Sequence, residues 1–118
     1  MTIDERTSGG VIILAVRGRM TIDDMGNVLV VDKVRQFLRD GQKHVLVDLA
    51  AVPYVDTTGL RDIVEAYIAS RRQGGSLKLL NLTPRVRHLL VITRLLTVIE
   101  AFESEADAVA SFGSSDQA

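Results

Sequence analysis

Val45-Leu-Val-Asp-Leu-Ala-Ala-Val-Pro-Tyr-Val-Asp-Thr-Thr-Gly-Leu60 carries more structural information than any other stretch of this chain. Its first part, Val45 to Leu49, reads as an apolar strand. A short loop follows and ends in Asp56-Thr57-Thr58-Gly59. From there Leu60, Ile63, Val64, Tyr67 and Ile68 fall at i, i+3, i+4, i+7 and i+8, the clearest helical stripe in the sequence. Two hydroxyls therefore sit at a helix N-terminus beside a carboxylate. Free backbone N–H groups and the helix dipole point there, so the place can hold or receive a phosphate. The same residues also suit plain capping: Asp and Thr are favoured caps, and Gly permits a tight strand-to-helix turn. On the residues alone, capping is the commoner explanation of an Asp-Thr-Thr-Gly.

Upstream, Ile3 to Arg6 and Val11 to Val16 read as two strands joined through Ser8-Gly9-Gly10 as a hairpin. The second is apolar throughout, as a central strand buried on both faces would be. Asp23 and Asp24 offer N-caps for a helix from about Met25 to Arg39, with Leu29, Val30, Val34, Phe37 and Leu38 on its apolar face and Gly41 at its end. Downstream, Arg71 and Arg72 close the central helix and Gly74-Gly75 stop it. Ser76 to Leu80 is a fourth strand. Thr83-Pro84 reads as an N-cap followed by proline in the first helical position, with Val86, Leu89 and Leu90 inward and Arg85 and Arg87 outward. Thr97 to Ala101 reads as a short fifth strand. Ser104 can cap a last helix through Phe112, and residues 114–118 read as a polar, flexible tail after a domain spanning 1–113. Strands alternate with helices through short connections. That predicts a single α/β domain with a mixed central sheet of about five strands and about four helices.

With 118 residues, 47% apolar and 25% charged, the chain fits one soluble domain with one core. A formal net charge of −1 gives no global attraction to nucleic acid or anionic membrane. The absence of cysteine excludes disulfides, thiolate metal sites and cysteine nucleophiles. Met1 to Arg6 has neither a basic start nor an apolar signal core, and no apolar run approaches the roughly 20 residues that span a bilayer. The expectation is a soluble, cytoplasmic protein without direct membrane insertion and without a cofactor.

Several motifs together resemble STAS domains, the fold of bacterial anti-sigma factor antagonists. They are the apolar strand with Asp48-Leu49, then the loop, then Asp56-Thr-Thr-Gly-Leu60; the Gly74-Gly75 strand leading into Thr83-Pro-Arg-Val-Arg-His-Leu-Leu90; and Thr93-Arg-Leu95 where the family often has Thr-Gly-Leu. The resemblance runs from about Val45 to Phe112 and is weaker before it. It implies a partner-switching module. Unphosphorylated, such a module binds an anti-sigma factor, a serine/threonine kinase of the histidine-kinase-like ATPase type. Phosphorylated by it, the module lets go, and a PP2C-type phosphatase resets the cycle. The family's phosphorylated hydroxyl directly follows the Asp, which implies Thr57 here; Thr58 beside it suits a pure cap. Tyr54, Val55, Asp56, Thr58, Gly59 and Arg61 make up the surrounding loop and the implied partner contact, with Tyr54 and Tyr67 read as largely buried. Arg61 lies one turn after Thr57, where i,i+4 geometry can bring its guanidinium near a phosphate.

The chain departs from the pattern where antagonists carry Gly-Glu-Leu/Ile-Asp: it has Gly18-Arg-Met-Thr21. That segment and the threonine at 57 keep an alternative open, a non-switching STAS scaffold or accessory subunit of the stressosome or ABC lipid transporter type. An enzyme finds little support, because no general base, nucleophile–base pair or metal set stands out. His44 and His88 are isolated from carboxylates at metal spacing. Gly9-Gly10 and Gly74-Gly75 lack the Lys-Ser/Thr of a phosphate-binding loop. Arg71, Arg72, Arg85, Arg87 and Arg94 are too few for a nucleic-acid surface.

Overall fold

The three central strands carry apolar residues on both faces, and the computed structural model, which describes residues 1–116, shows why. In β2 (Val11–Arg17), Ile12, Leu14 and Val16 point to one core while Val11 and Ile13 point to another. In β3 (His44–Ala51), Val45, Val47 and Leu49 face the first core and Leu46 the second. β4 (Ser76–Leu80) splits in the same way, with Leu77 and Leu79 against Leu80. A continuous apolar run is the period-2 pattern of a strand covered on both sides.

The sheet has the order β1-β2-β3-β4-β5. β1 (Thr2–Ser8) pairs antiparallel with β2 as the expected hairpin, with Ser8 opposite Val11. The other three pairings are parallel, in register Val45 to Leu77 and Leu79 to Ala101. Each parallel step moves the same way across the sheet through a right-handed crossover, so the connecting helices gather on one face. These are α2 (Val30–Arg39), α3 (Thr57–Arg72) and α4 (Pro84–Ile92). The larger core lies beneath them, and α5 (Glu105–Asp116) covers the other face with Ala108 and Phe112. Lys78 breaks the apolar pattern of β4 on the α5 side at 5% exposure. Its ammonium donates to Ser111 Oγ at 2.9 Å and lies 4.7 Å from the Phe112 ring centroid. The chain is thus a mixed five-stranded α/β fold, as the alternation of elements predicted.

Three boundaries differ from expectation. The helix expected from Met25 to Arg39 is two helices, the single turn α1 (Ile22–Met25) and α2. Between them Gly26 takes φ 57° and ψ −124°, a conformation that only glycine adopts readily and that no helix contains. Asp23 and Asp24 lie inside the first turn of α1, so neither is an N-cap; Asp24 instead accepts from Arg19 Nε at 2.7 Å. The fifth strand is only Ala101–Phe102, because Leu95–Thr97 winds into a 3-10 turn after Arg94 enters the left-handed region. α5 is capped by Ser104, whose Oγ accepts from Asp107 N at 3.3 Å, and runs past Phe112. The tail expected at 114–118 extends beyond the described residues.

Candidate functional site

The loop between β3 and α3 is pinned from both sides. On one side the chain after β2 runs beside it: Gly18 N donates to Ala51 O at 3.1 Å, Met20 N to Tyr54 O at 3.0 Å, and Asp56 N to Met20 O at 3.1 Å. On the other side the entry to α4 reaches across. Thr83 occupies the N-cap position but spends its hydroxyl on Val52 O at 2.7 Å instead of capping its own helix. The Arg85 guanidinium lies over the Tyr54 ring, 5.3 Å from its centroid. Tyr54 is 41% exposed, so the expectation of a largely buried ring is corrected; Tyr67 is half-buried and its hydroxyl approaches Val98 O at 3.4 Å. Val55 is buried in the core and bridges to Met20, so it supports the loop from below and offers no side chain to a partner.

Asp56 is the N-cap of α3. Its Oδ1 accepts from Gly59 N at 3.0 Å, so the cap is this carboxylate and not Thr58. Its Oδ2 accepts from Ile22 N, the first residue of α1, at 2.9 Å. These N–H groups, that of Ile22 first, favour the ionised form and hold the carboxyl below its ordinary value. Thr57 follows as the first residue of the helix and is exposed; Thr58 is half-buried and Arg61 exposed. Gly59 is required by close approach. A Cβ there would stand 2.1 Å from the Met20 carbonyl oxygen, inside any tolerable contact.

Asp62 escaped the reading of the sequence. It is 3% exposed, and its two oxygens accept from Val30 N at 2.7 Å and Val31 N at 2.8 Å, the first residues of α2. α2 begins after Leu29, which has no capping side chain, so α3 caps it from outside. Burial raises the Asp62 carboxyl above its ordinary value, against the two N–H bonds, and the nearby Asp32 and Glu65 push the same way. The buried face of α3 is Gly59, Asp62, Ile63, Ala66, Ala69 and Ser70, whereas Leu60, Val64 and Tyr67 lie at its margin and Ile68 is 39% exposed. Of the stripe of large residues, Ile63 is in the core and Leu60 and Tyr67 pack against it, while Ile68 turns outward and the small residues Gly59, Ala66, Ala69 and Ser70 complete the buried face.

The histidines and the acids around β5 have structural places. His44 stacks on Phe112 with centroids 5.4 Å apart, and His88 is exposed on α4. Glu105 pairs with Arg6, and Glu103 reaches Arg87 at 3.7 Å. Among the described residues no group of three or more His, Cys, Asp or Glu is placed to hold a metal ion, and no helix is long and apolar enough to cross a membrane.

A strand runs through a doubly pinned loop into an Asp-capped helix on a sheet of this order, and the family model for the STAS domain matches residues 2–108. The chain belongs to the STAS domain family. Among curated relatives, the anti-sigma-B factor antagonist of Bacillus subtilis is 44% identical over 52 residues, 44% of this chain and 48% of that one. A Bordetella bronchiseptica protein, BtrV, bearing the name of an anti-sigma factor antagonist, is 31% identical over 72 residues, 61% of this chain and 62% of its own. The chain thus spans about half the length of these relatives in alignment. An anti-sigma factor antagonist structure from Mycobacterium paratuberculosis shares the fold with a TM-score of 0.81 at 17% identity, covering 94% and 92% of the two chains. The Bacillus cell fate determinant SpoIIAA in its phosphorylated form does so with a TM-score of 0.70 at 12% identity, covering 93% and 98%.

Proposed function

We propose that this chain is an anti-sigma factor antagonist-like switch. It binds an anti-sigma factor kinase of the histidine-kinase-like ATPase type, is released when that kinase phosphorylates Thr57, and is reset by a PP2C-type phosphatase. One observation carries the reading. Asp56 already caps α3 through Gly59 N, so the exposed Thr57 hydroxyl is not needed to hold the helix and can be modified without uncapping it. The names of the curated relatives and the existence of a phosphorylated fold relative support the same direction.

The physics of the switch follows from position. A phosphate adds about −1.5 to −2 charges. At the first residue of α3 the helix dipole favours that charge, so the fold is retained. The outer surface changes instead. Ile22, 68% exposed, and Tyr54 flank the loop as apolar contact area. A partner packed over them would have to desolvate a dianion beside the Asp56 carboxylate. The switch thus acts by blocking a surface. The domain itself is a binding module and performs no catalysis in this scheme.

The test uses each histidine-kinase-like anti-sigma factor of the source genome, purified and incubated with the chain and Mg-ATP. Mass spectrometry should find phosphate on Thr57. Calorimetry should find that Thr57→Ala binds like the unmodified chain and that Thr57→Asp binds at least about tenfold more weakly, a loss of about 1.4 kcal/mol. Equal affinity of Thr57→Asp and the parent would sink the model. A second reading, a non-switching scaffold or accessory subunit, draws on the basic Arg19 tied to Asp24 where the family pattern is acidic. Binding to a partner with Thr57 never modified would favour it.

A further inference from the structure

α4 buries Val86 and Leu90 and turns its other side outward. Along that side Arg85, His88 and Ile92 follow one another at i, i+3 and i+7, with Val91 beside Ile92. Ile92 is 62% exposed and Val91 54%; Val98, just past the 3-10 turn, is 56% exposed. These are three of the seven large apolar side chains exposed among the described residues, gathered within residues 91–98. The charge along this side is mostly basic. From Asn81 to Ile99 the sequence carries Arg85, Arg87 and Arg94 and not one Asp or Glu, although the whole chain is formally −1. Glu103 is the carboxylate that reaches in, and it lies 3.7 Å from Arg87. At its N-terminal end this surface joins the Thr57 loop physically, through the Arg85 guanidinium over the Tyr54 ring.

We infer that the outward side of α4 is the continuation of the partner-binding surface that begins at Tyr54 and Thr57, and that the partner protein meets it with an aliphatic patch rimmed by Asp and Glu. The inference rests on the proposed reading that a partner packs over the Thr57 loop. Charge complementarity selects the acidic rim: a basic partner would face Arg85 and Arg94, and the Glu103 carboxylate is already beside Arg87 at 3.7 Å. An anionic bilayer also combines acid with apolar interior. Helices that lie in a bilayer surface, however, present a broad face with Trp, Phe or Leu. Here two β-branched residues stand at the end of a nine-residue helix whose other apolar side is locked in the core. That geometry fits a protein surface.

The experiment measures calorimetric affinity of the same purified anti-sigma factor kinases for the parent chain, Thr57→Asp, His88→Glu and Ile92→Glu, with thermal melts confirming that all four are folded. His88 and Ile92 are exposed and lie beyond Arg85 from the loop, so neither change touches Thr57 or its cap. Both should lower affinity about tenfold or more, and binding to the parent should weaken with added salt. If a kinase binds and Thr57→Asp releases it while both α4 variants bind like the parent, the inference fails and the switch stands. If no kinase binds the parent, the switch reading fails and the inference falls with it. Co-sedimentation with vesicles of phosphatidylglycerol and phosphatidylcholine supplies the remaining arm. Vesicle binding that Ile92→Glu abolishes, with kinase affinity unchanged, would overturn the inference in favour of a membrane surface.

Discussion

Asp62 Oδ2 accepts the backbone N–H of Val30 at 2.7 Å, and its other oxygen accepts that of Val31, so a residue on α3 terminates α2. Asp56, six residues earlier, does the same for α1 through Ile22 N. Neither α1 nor α2 has a side-chain cap of its own. The two short helices after β2 are therefore held in place by carboxylates from the helix that carries Thr57.

Replacing Asp62 by Ala leaves two buried N–H groups without acceptors. The cost is about 1–3 kcal/mol, the usual penalty of an unmet buried donor reduced by relief of the carboxylate's own burial. Urea unfolding should show it, and amide exchange at Val30 and Val31 should accelerate ahead of the rest of α2. The pH dependence has a definite sign. Asp62 binds its proton more tightly folded than unfolded, so its contribution is fully present below the ordinary carboxyl range near 4 and is lost as pH rises through the elevated folded value. The stability of the parent relative to Asp62→Asn should therefore fall with rising pH over that window. A rise would mean that the two N–H bonds outweigh burial.

Asp56 gives the opposite sign. Its carboxyl is held below the ordinary value by the N–H groups of Ile22 and Gly59, so its contribution is present above the unfolded value and disappears as pH falls through the folded one. Asp56→Ala should abolish that acid-side loss and speed amide exchange at both Ile22 and Gly59. Protection retained at Ile22 would show that α1 is held by something other than this carboxylate.

The fold was legible in the sequence because both-face burial writes itself as continuous apolar strands and the crossovers as helical stripes between them. The Asp-Thr-Thr-Gly turn was legible for the same local reason, since capping chemistry is short-range. What was not legible depends on a second element. Asp62 looks like a solvent-facing acid until α2 is docked on it. The buried face of α3 was only partly legible because Gly59, Asp62, Ala66, Ala69 and Ser70 share it with Ile63, and a count of large apolar residues overlooks them. The break at Gly26 is a single φ, outweighed in the sequence by the apolar residues on either side.

Gly59→Ala tests the close approach. The added methyl would collide with the Met20 carbonyl, which is backbone already bonded to Asp56 N, so nothing nearby can swing aside. Overpacking of this kind costs about 1–3 kcal/mol, which for a domain of this size lowers Tm by several degrees. Because α3 would have to tilt away from Met20, the Met20–Tyr54 and Asp56–Met20 bonds should loosen with it. Unchanged Tm and unchanged amide protection at Met20 and Asp56 would contradict the contact.

Thr83→Val removes one hydroxyl while keeping the side chain's shape. The lost bond is to Val52 O. The expected cost is about 1 kcal/mol. The more telling effect is local. Thr83, through Val52 O, and Arg85, through the Tyr54 ring, tie the entry of α4 to the Thr57 loop, and with the first removed the Arg85–Tyr54 contact is left to hold that side. NMR relaxation should then report faster motion at Tyr54 and Thr57 and none at Ile22, which is anchored through Asp56. Motion spreading equally to Ile22 would mean that the loop moves as one body with α1 and that the two sides are not pinned independently.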